Sequence, residues 1–285
     1  MRVRLLALVL VGCGAEPQPV SLGILAPRAL QPILEPAVAA WEAAHGTRVR
    51  IGFDTPDRLI RQANGGTRAD VFVSADSRWM NALVSDGHVL ETDRRPVAFD
   101  PLVFVGAAGH PPARDPRELV VRLEGPLGIG NTDLPDGELA RLALRETKVW
   151  DQLTHRVVEL RTPRELRERL ESGELHAAVT VQSSVLLARD TLSTHPFSPD
   201  LAFGSTIEVA PLTPGGDADR LLVDNLVAAL VDGPDARSGW SRAGLDALRG
   251  PEAPTHPERP PGSRPQPPPQ PPPQPPVGGP QSPAR

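Results

Sequence analysis

Cysteine, tyrosine and lysine are almost missing from these 285 residues. The single cysteine, Cys13, lies close to the N-terminus, so the body of the chain has no disulfide, zinc-thiolate site or cysteine nucleophile. Tyrosine is absent, Lys148 is the one lysine, and aromatic residues make up only 4%. A formal net charge of −5 leaves no basic field to hold nucleic acid. Apolar residues at 39% and charged residues at 23% suffice for a core and are too polar for a multi-span membrane protein. No Gly-x-x-x-x-Gly-Lys or Gly-x-Gly-x-x-Gly motif sits at a strand-to-helix turn, so nucleotide binding has no support. The histidines form no i,i+4 pair, and Ser183-Ser184 lacks a nucleophile elbow. No metal, cofactor or catalytic residue is expected.

What is present divides the chain. Residues 1–12 carry Arg2 and Arg4 before an apolar run from Leu5 to Val11, the pattern of an export signal. Leu10-Val11-Gly12-Cys13 resembles the bacterial lipobox, which implies lipidation at Cys13 and a membrane anchor through its two acyl chains. Residues 13–19 read as a polar tether. At the other end, 16 of the 35 prolines follow Gly250, so residues 250–285 read as an extended tail with almost nothing to bury.

Between these lies an alternation of short apolar strands and helices of 8–15 residues. Strands are expected at Val20–Leu25, Val49–Phe53, Asp70–Ser74, Leu102–Gly106, Leu127–Gly130, Val157–Leu160, Ala177–Val181 and Thr206–Val209. Helices are expected at Gln31–His45, with Pro36 in its first turn, and at Asp57–Ala63, Arg78–Ser85, Asp115–Leu123, Gly137–Leu153, Pro163–Ser172, Ala218–Val231 and Arg237–Leu248. Trp41, Trp79, Trp150 and Trp240 all fall on helices and read as core. Strands apolar on both faces, alternating with helices, predict an α/β fold of mainly parallel sheets covered on both sides. The units are too many for one small sheet, so two lobes are expected.

The run Ala69-Asp-Val-Phe-Val-Ser-Ala-Asp-Ser-Arg-Trp-Met80 resembles the periplasmic molybdate-binding proteins of ABC transporters. The likeness continues in order at Pro101–Val105, Leu134-Pro-Asp-Gly137, Leu175–Val181 and Gly233–Ala236, and covers roughly residues 22–248. It implies a two-lobed type II periplasmic-binding-protein fold, with residues 20–101 and 188–249 in lobe 1 and 102–187 in lobe 2. It also implies a small-molecule solute, an ABC permease as partner and a periplasmic location.

The family's oxyanion pocket uses neutral donors, namely helix N-terminal amides and hydroxyls. Carried over, its positions fall on Arg28 and Ala29, on Thr55, Pro56 and Asp57, on Asp136, on Pro163 and on Thr180. Here a serine becomes Ala29, a serine triplet becomes Thr55-Pro56-Asp57, and the tyrosine becomes Thr180. Two prolines remove amide donors while Asp57 and Asp136 add negative charge. At about 5 Å and a dielectric near 20, each aspartate would repel a dianion by roughly 6–7 kcal/mol before screening. Helix dipoles return only about 0.3–1 kcal/mol each. The expected function is a lipid-anchored, extracytoplasmic solute-binding protein with an altered pocket. The competing readings are a binding scaffold serving as an envelope sensor and, more remotely, a hydrolase on the same frame.

Overall fold

The computed structural model describes residues 21–107, 112–132, 134–198, 202–213 and 219–247. The expected signal peptide, Cys13, tether and proline-rich tail lie outside those residues.

Strand β1 (Ser21–Pro27) is flanked by parallel neighbours β2 (Arg48–Asp54) and β3 (Val71–Ser74). The crossovers are α1 (Gln31–His45) and α2 (Pro56–Asn64). Helix α1 buries Ile33, Leu34, Ala37, Val38 and Trp41 on one face and ends where Gly46 turns left-handed at φ 66°. Pro36 lies past the first turn, inside the helix and not at its start as the sequence suggested. The helix runs through it because its apolar face is held by the sheet, which outweighs one missing backbone bond.

After α3 (Ser77–Ser85), the chain enters β4 (Arg95–Ala107), 13 residues long. A second parallel trio follows, with β5 (Leu127–Gly130) between β6 (Val157–Leu160) and β7 (Ala177–Val181). Helices α4 (Pro116–Arg122), α5 (Pro135–Glu146), α6 (Trp150–Leu153) and α7 (Pro163–Glu171) surround it. The single helix expected over 137–153 is broken at Lys148, whose φ of 60° is left-handed. Then come β8 (Leu192–Pro196), β9 (Gly204–Pro211), α8 (Arg220–Asp232), α9 (Pro234–Arg242) and the two-residue β10 (Asp246–Ala247).

The strand order is β2-β1-β3-β9-β4-β7-β5-β6, with β8 and β10 also on β4. Strand β4 belongs to both halves: Arg95–Pro101 pairs antiparallel with β9, and Leu102–Ala107 with β7 and β8. Residues 192–196 therefore sit with the second trio, so the chain returns to the first sheet at Gly204 and not at residue 188. Four buried clusters cover the two faces of each half. Leu22, Ile24 and Trp240 mark one and Phe72 and Met80 its opposite face; Phe104 and Phe197 mark the third, and Val105 and Leu166 the fourth. Each such fully buried Leu, Ile or Phe stabilises the fold by about 1.5–3 kcal/mol. This is a two-lobed α/β architecture with helices on both sides of each sheet region.

Candidate functional site

In open α/β sheets, ligands bind beyond the carboxyl ends of parallel strands, where loops turn into helices. Both trios here point those ends at one cavity of about 460 Å³. Pro27–Ala29 after β1, Asp54–Pro56 after β2, and Ala75, Asp76 and Trp79 after β3 form one wall, joined by Ser205. Leu134–Asp136 after β5, Thr162–Arg164 and Arg167 after β6, and Val181, Ser183, Ser184, Leu187 and Ala188 at and after β7 form the other. Most of this lining is apolar.

The starts of the helices are not open anion receptors. Helices α2, α5 and α7 each place a proline first, at Pro56, Pro135 and Pro163, so that position has no amide to offer. Neighbouring amides are taken by the chain's own oxygens. Asp54 Oδ1 accepts from the Thr55 amide at 2.9 Å, Asp76 Oδ1 from the Arg78 amide at 2.7 Å, Asp136 Oδ1 from the Gly137 amide at 3.0 Å, and Thr162 Oγ1 from the Glu165 amide at 3.1 Å. Carboxylates favour helix N-termini for the same electrostatic reason that an external anion would.

Of the residues expected in the pocket, Arg28, Ala29, Thr55, Pro56, Asp136 and Pro163 line the cavity. Arg28 is exposed and its guanidinium donates to the Phe53 carbonyl at 2.8 Å. Asp57 and Thr180 do not line it. Asp57 turns outward, accepting from the Thr55 hydroxyl at 2.6 Å and from Arg61 at 2.8 Å, and the Thr55 bond holds its carboxyl below the usual range. Thr180 lies buried behind the wall and donates to Asp136 Oδ2 at 2.8 Å. Both Asp136 oxygens thus have neutral partners, and burial pushes this carboxyl above its ordinary value.

Several contributors were not expected from the sequence. Trp79, read as core, lines the cavity, as do Asp76 and Arg167. Behind them Asp100 is fully buried; its Oδ1 accepts from the Ser183 amide at 2.9 Å, and its Oδ2 has no hydrogen-bond partner. Burial first, then the negative charges of Asp136 and Asp76, push Asp100 up to about 7. A lone acid inside the apolar run Val97–Val103 is the signal that would have found it.

Two features hold Asp136 in place. Gly137 packs so closely on β5 that a Cβ there would lie 2.2 Å from both the Gly130 and Asn131 carbonyl oxygens. One turn on, buried Arg141 donates to the Gly130 and Gly137 carbonyls at 2.7 and 2.9 Å and pairs with Glu159 at 2.5 Å. An ion pair of 2.8 Å between Arg78 of α3 and Glu138 of α5 links the two walls. Among the described residues no group of three or more His, Cys, Asp or Glu is arranged to hold a metal.

A family model of bacterial extracellular solute-binding proteins matches residues 22–246. Among curated relatives, the molybdate-binding protein ModA of Escherichia coli is 22% identical over 176 residues, which are 58% of this chain and 67% of that one. YvgL of Bacillus subtilis, assigned to the ABC transporter substrate-binding lipoproteins, is 23% identical over 190 residues, 64% of this chain and 73% of that one. Among solved structures, the periplasmic molybdate-binding protein of Azotobacter vinelandii superposes with a TM-score of 0.65 at 18% identity, covering 80% of this chain and 100% of that one.

Proposed function

Because the chain belongs to the bacterial extracellular solute-binding proteins, we propose that it is the substrate-binding component of an ABC importer, exported by residues 1–12, held to the membrane through a lipid on Cys13, and delivering a small solute to a permease. Within this reading, β4 and residues 182–188, whose Leu186 packs in the first half and Val185 in the second, join the two lobes. Closure of the cleft on the solute draws on tighter binding by the shut form. The supporting observation is the cavity between the carboxyl ends of both parallel trios, the place where such a frame offers a ligand converging loop groups.

The relatives named for molybdate suggest an oxyanion, but the groups at this cleft argue against a bare tetrahedral one. Three helix starts begin with proline, and Asp54, Asp76 and Asp136 already accept from amides such an anion would use. Thermal-shift and calorimetric screens of the full chain with molybdate, tungstate, sulfate, phosphate, and neutral and cationic organic solutes test the proposal. A saturable rise in melting temperature with one solute class is expected, with molybdate at best weak. Micromolar or tighter molybdate binding would overturn the reading of the aspartates. Failure of every class to shift the protein would overturn solute capture itself. Cell fractionation of Cys13→Ser is expected to move the protein from membrane to soluble fractions.

A further inference from the structure

We propose that the cleft receives an organic solute by its ammonium group, held by Asp136 and Asp76, with the apolar body of the solute against Trp79, Leu134 and Val181. This rests on the solute-binding reading and names the class of ligand.

Three observations converge on it. The first is what became of the anion-binding positions. At α3 and α5 a carboxylate of the chain occupies the helix start, so the place a bound anion would fill is already negative. The second is charge balance. Asp136 is half-buried at the cavity with only a hydroxyl and an amide as partners, and it makes no ion pair among the described residues. Directly behind the site lies the Asp100 carboxyl, fully buried, with one oxygen lacking any partner. Of the wall's cations, Arg28 is bound to the Phe53 carbonyl and Arg164 is paired with Glu168 at 2.7 Å, while Arg78 divides itself between Glu138 at 2.8 Å and Asp76 at 4.0 Å and reaches Asp136 only through its field. The third is shape and lining. About 460 Å³ lies within the range, about 300–1,000 Å³, that takes organic ligands. Its surface is mainly carbon, and Trp79 supplies an aromatic face suited to a cation.

Arg167 on α7 divides the class in two. It lines the cavity, is half-buried, and forms no hydrogen bond or ion pair among the described residues. A simple amine needs only the aspartates; an amino acid would also place its carboxylate on Arg167.

Calorimetry on the full chain with phenethylammonium chloride, phenylalanine, sodium phenylacetate and sodium molybdate tests the assignment, since the first three share a body and differ in charge. The expected result is saturable binding of phenethylammonium or phenylalanine at least tenfold tighter than phenylacetate. Asp136→Asn should weaken it tenfold or more while leaving the melting temperature of the free protein unchanged or higher. Phenylalanine preferred, with that preference lost in Arg167→Gln, assigns an amino acid; phenethylammonium preferred assigns an amine. Phenylacetate or molybdate binding more tightly would overturn the ammonium assignment and leave the solute-binding reading standing. No saturation by either ammonium compound, or indifference to Asp136→Asn, would overturn it as well.

Discussion

Replacing Asp100 by asparagine should remove this residue's share of the loss of stability between weakly acid and weakly alkaline pH. The carboxyl has an ordinary value of 3.8 and a folded value of about 7, raised chiefly by burial. The sign follows from which state binds the proton more tightly. Below about pH 4 the group is protonated folded or unfolded and adds nothing to pH dependence. Between about 4 and 7 the unfolded chain releases the proton while the folded chain keeps it, so stability falls as pH rises. Above about 7 both states are charged and the loss levels off. At about 1.36 kcal/mol for each tenfold change in proton affinity, the full loss is about 4 kcal/mol, a large share of a typical domain's stability. Asparagine keeps an oxygen for the Ser183 amide, now met at 2.9 Å, and carries no charge. Urea melts of both proteins from pH 4 to pH 8 measure the effect. The variant should gain on the wild type by several kcal/mol at pH 8 and by nothing at pH 4. Parallel pH profiles for the two proteins would refute the argument that a buried, charged Asp100 destabilises the fold.

Two other substitutions probe the frame. Arg94 grips Glu208 through both carboxylate oxygens at 3.0 and 2.9 Å, in a pair only 15% and 9% exposed. Arg94→Ala should cost about 3–5 kcal/mol at pH 8 by chemical denaturation. The loss should shrink as pH falls, because burial already raises the Glu208 carboxyl and its protonation removes the unpaired charge. At Gly137 an alanine Cβ would stand 2.2 Å from two backbone oxygens, so the backbone itself would have to shift. Gly137→Ala should lower stability by about 1–3 kcal/mol or more and abolish solute binding, read by thermal shift, because it pushes Asp136 off its partners. Unchanged binding in that variant would separate the start of α5 from the site.

The alternation of apolar runs and amphipathic helices made both parallel trios readable, with Leu127–Gly130, Val157–Leu160 and Ala177–Val181 matching their strands residue for residue. The antiparallel returns were harder. The first half of β4 contains Pro96, Asp100 and Pro101, which argue locally against a strand; pairing with β9 overrides that preference. Strand β8 alternates half-buried and exposed residues with a histidine and a proline at its end, and gives no apolar run to detect. At the site, the resemblance pointed to residues at loop ends, and six of those line the cavity. Trp79, Asp76 and Arg167 were missed because each belongs to the first turns of a helix whose register with the opposite wall is a tertiary fact. The orientation of Asp57 was likewise decided by Arg61, one helical turn away on the outer face.

Strand β4 passes without interruption from one sheet region to the other, and Pro101, just before the change of partners, offers no amide to the ladder. Sliding one half along the other would break hydrogen bonds in both ladders at once. Proline fixes φ at Pro101, and the next residue is held on both sides, its amide by the Phe203 carbonyl at 2.8 Å and its carbonyl by the Phe197 amide at 2.9 Å. The architecture therefore resists a slip of one half along the other, and slow amide exchange along both stretches of β4 would be its signature.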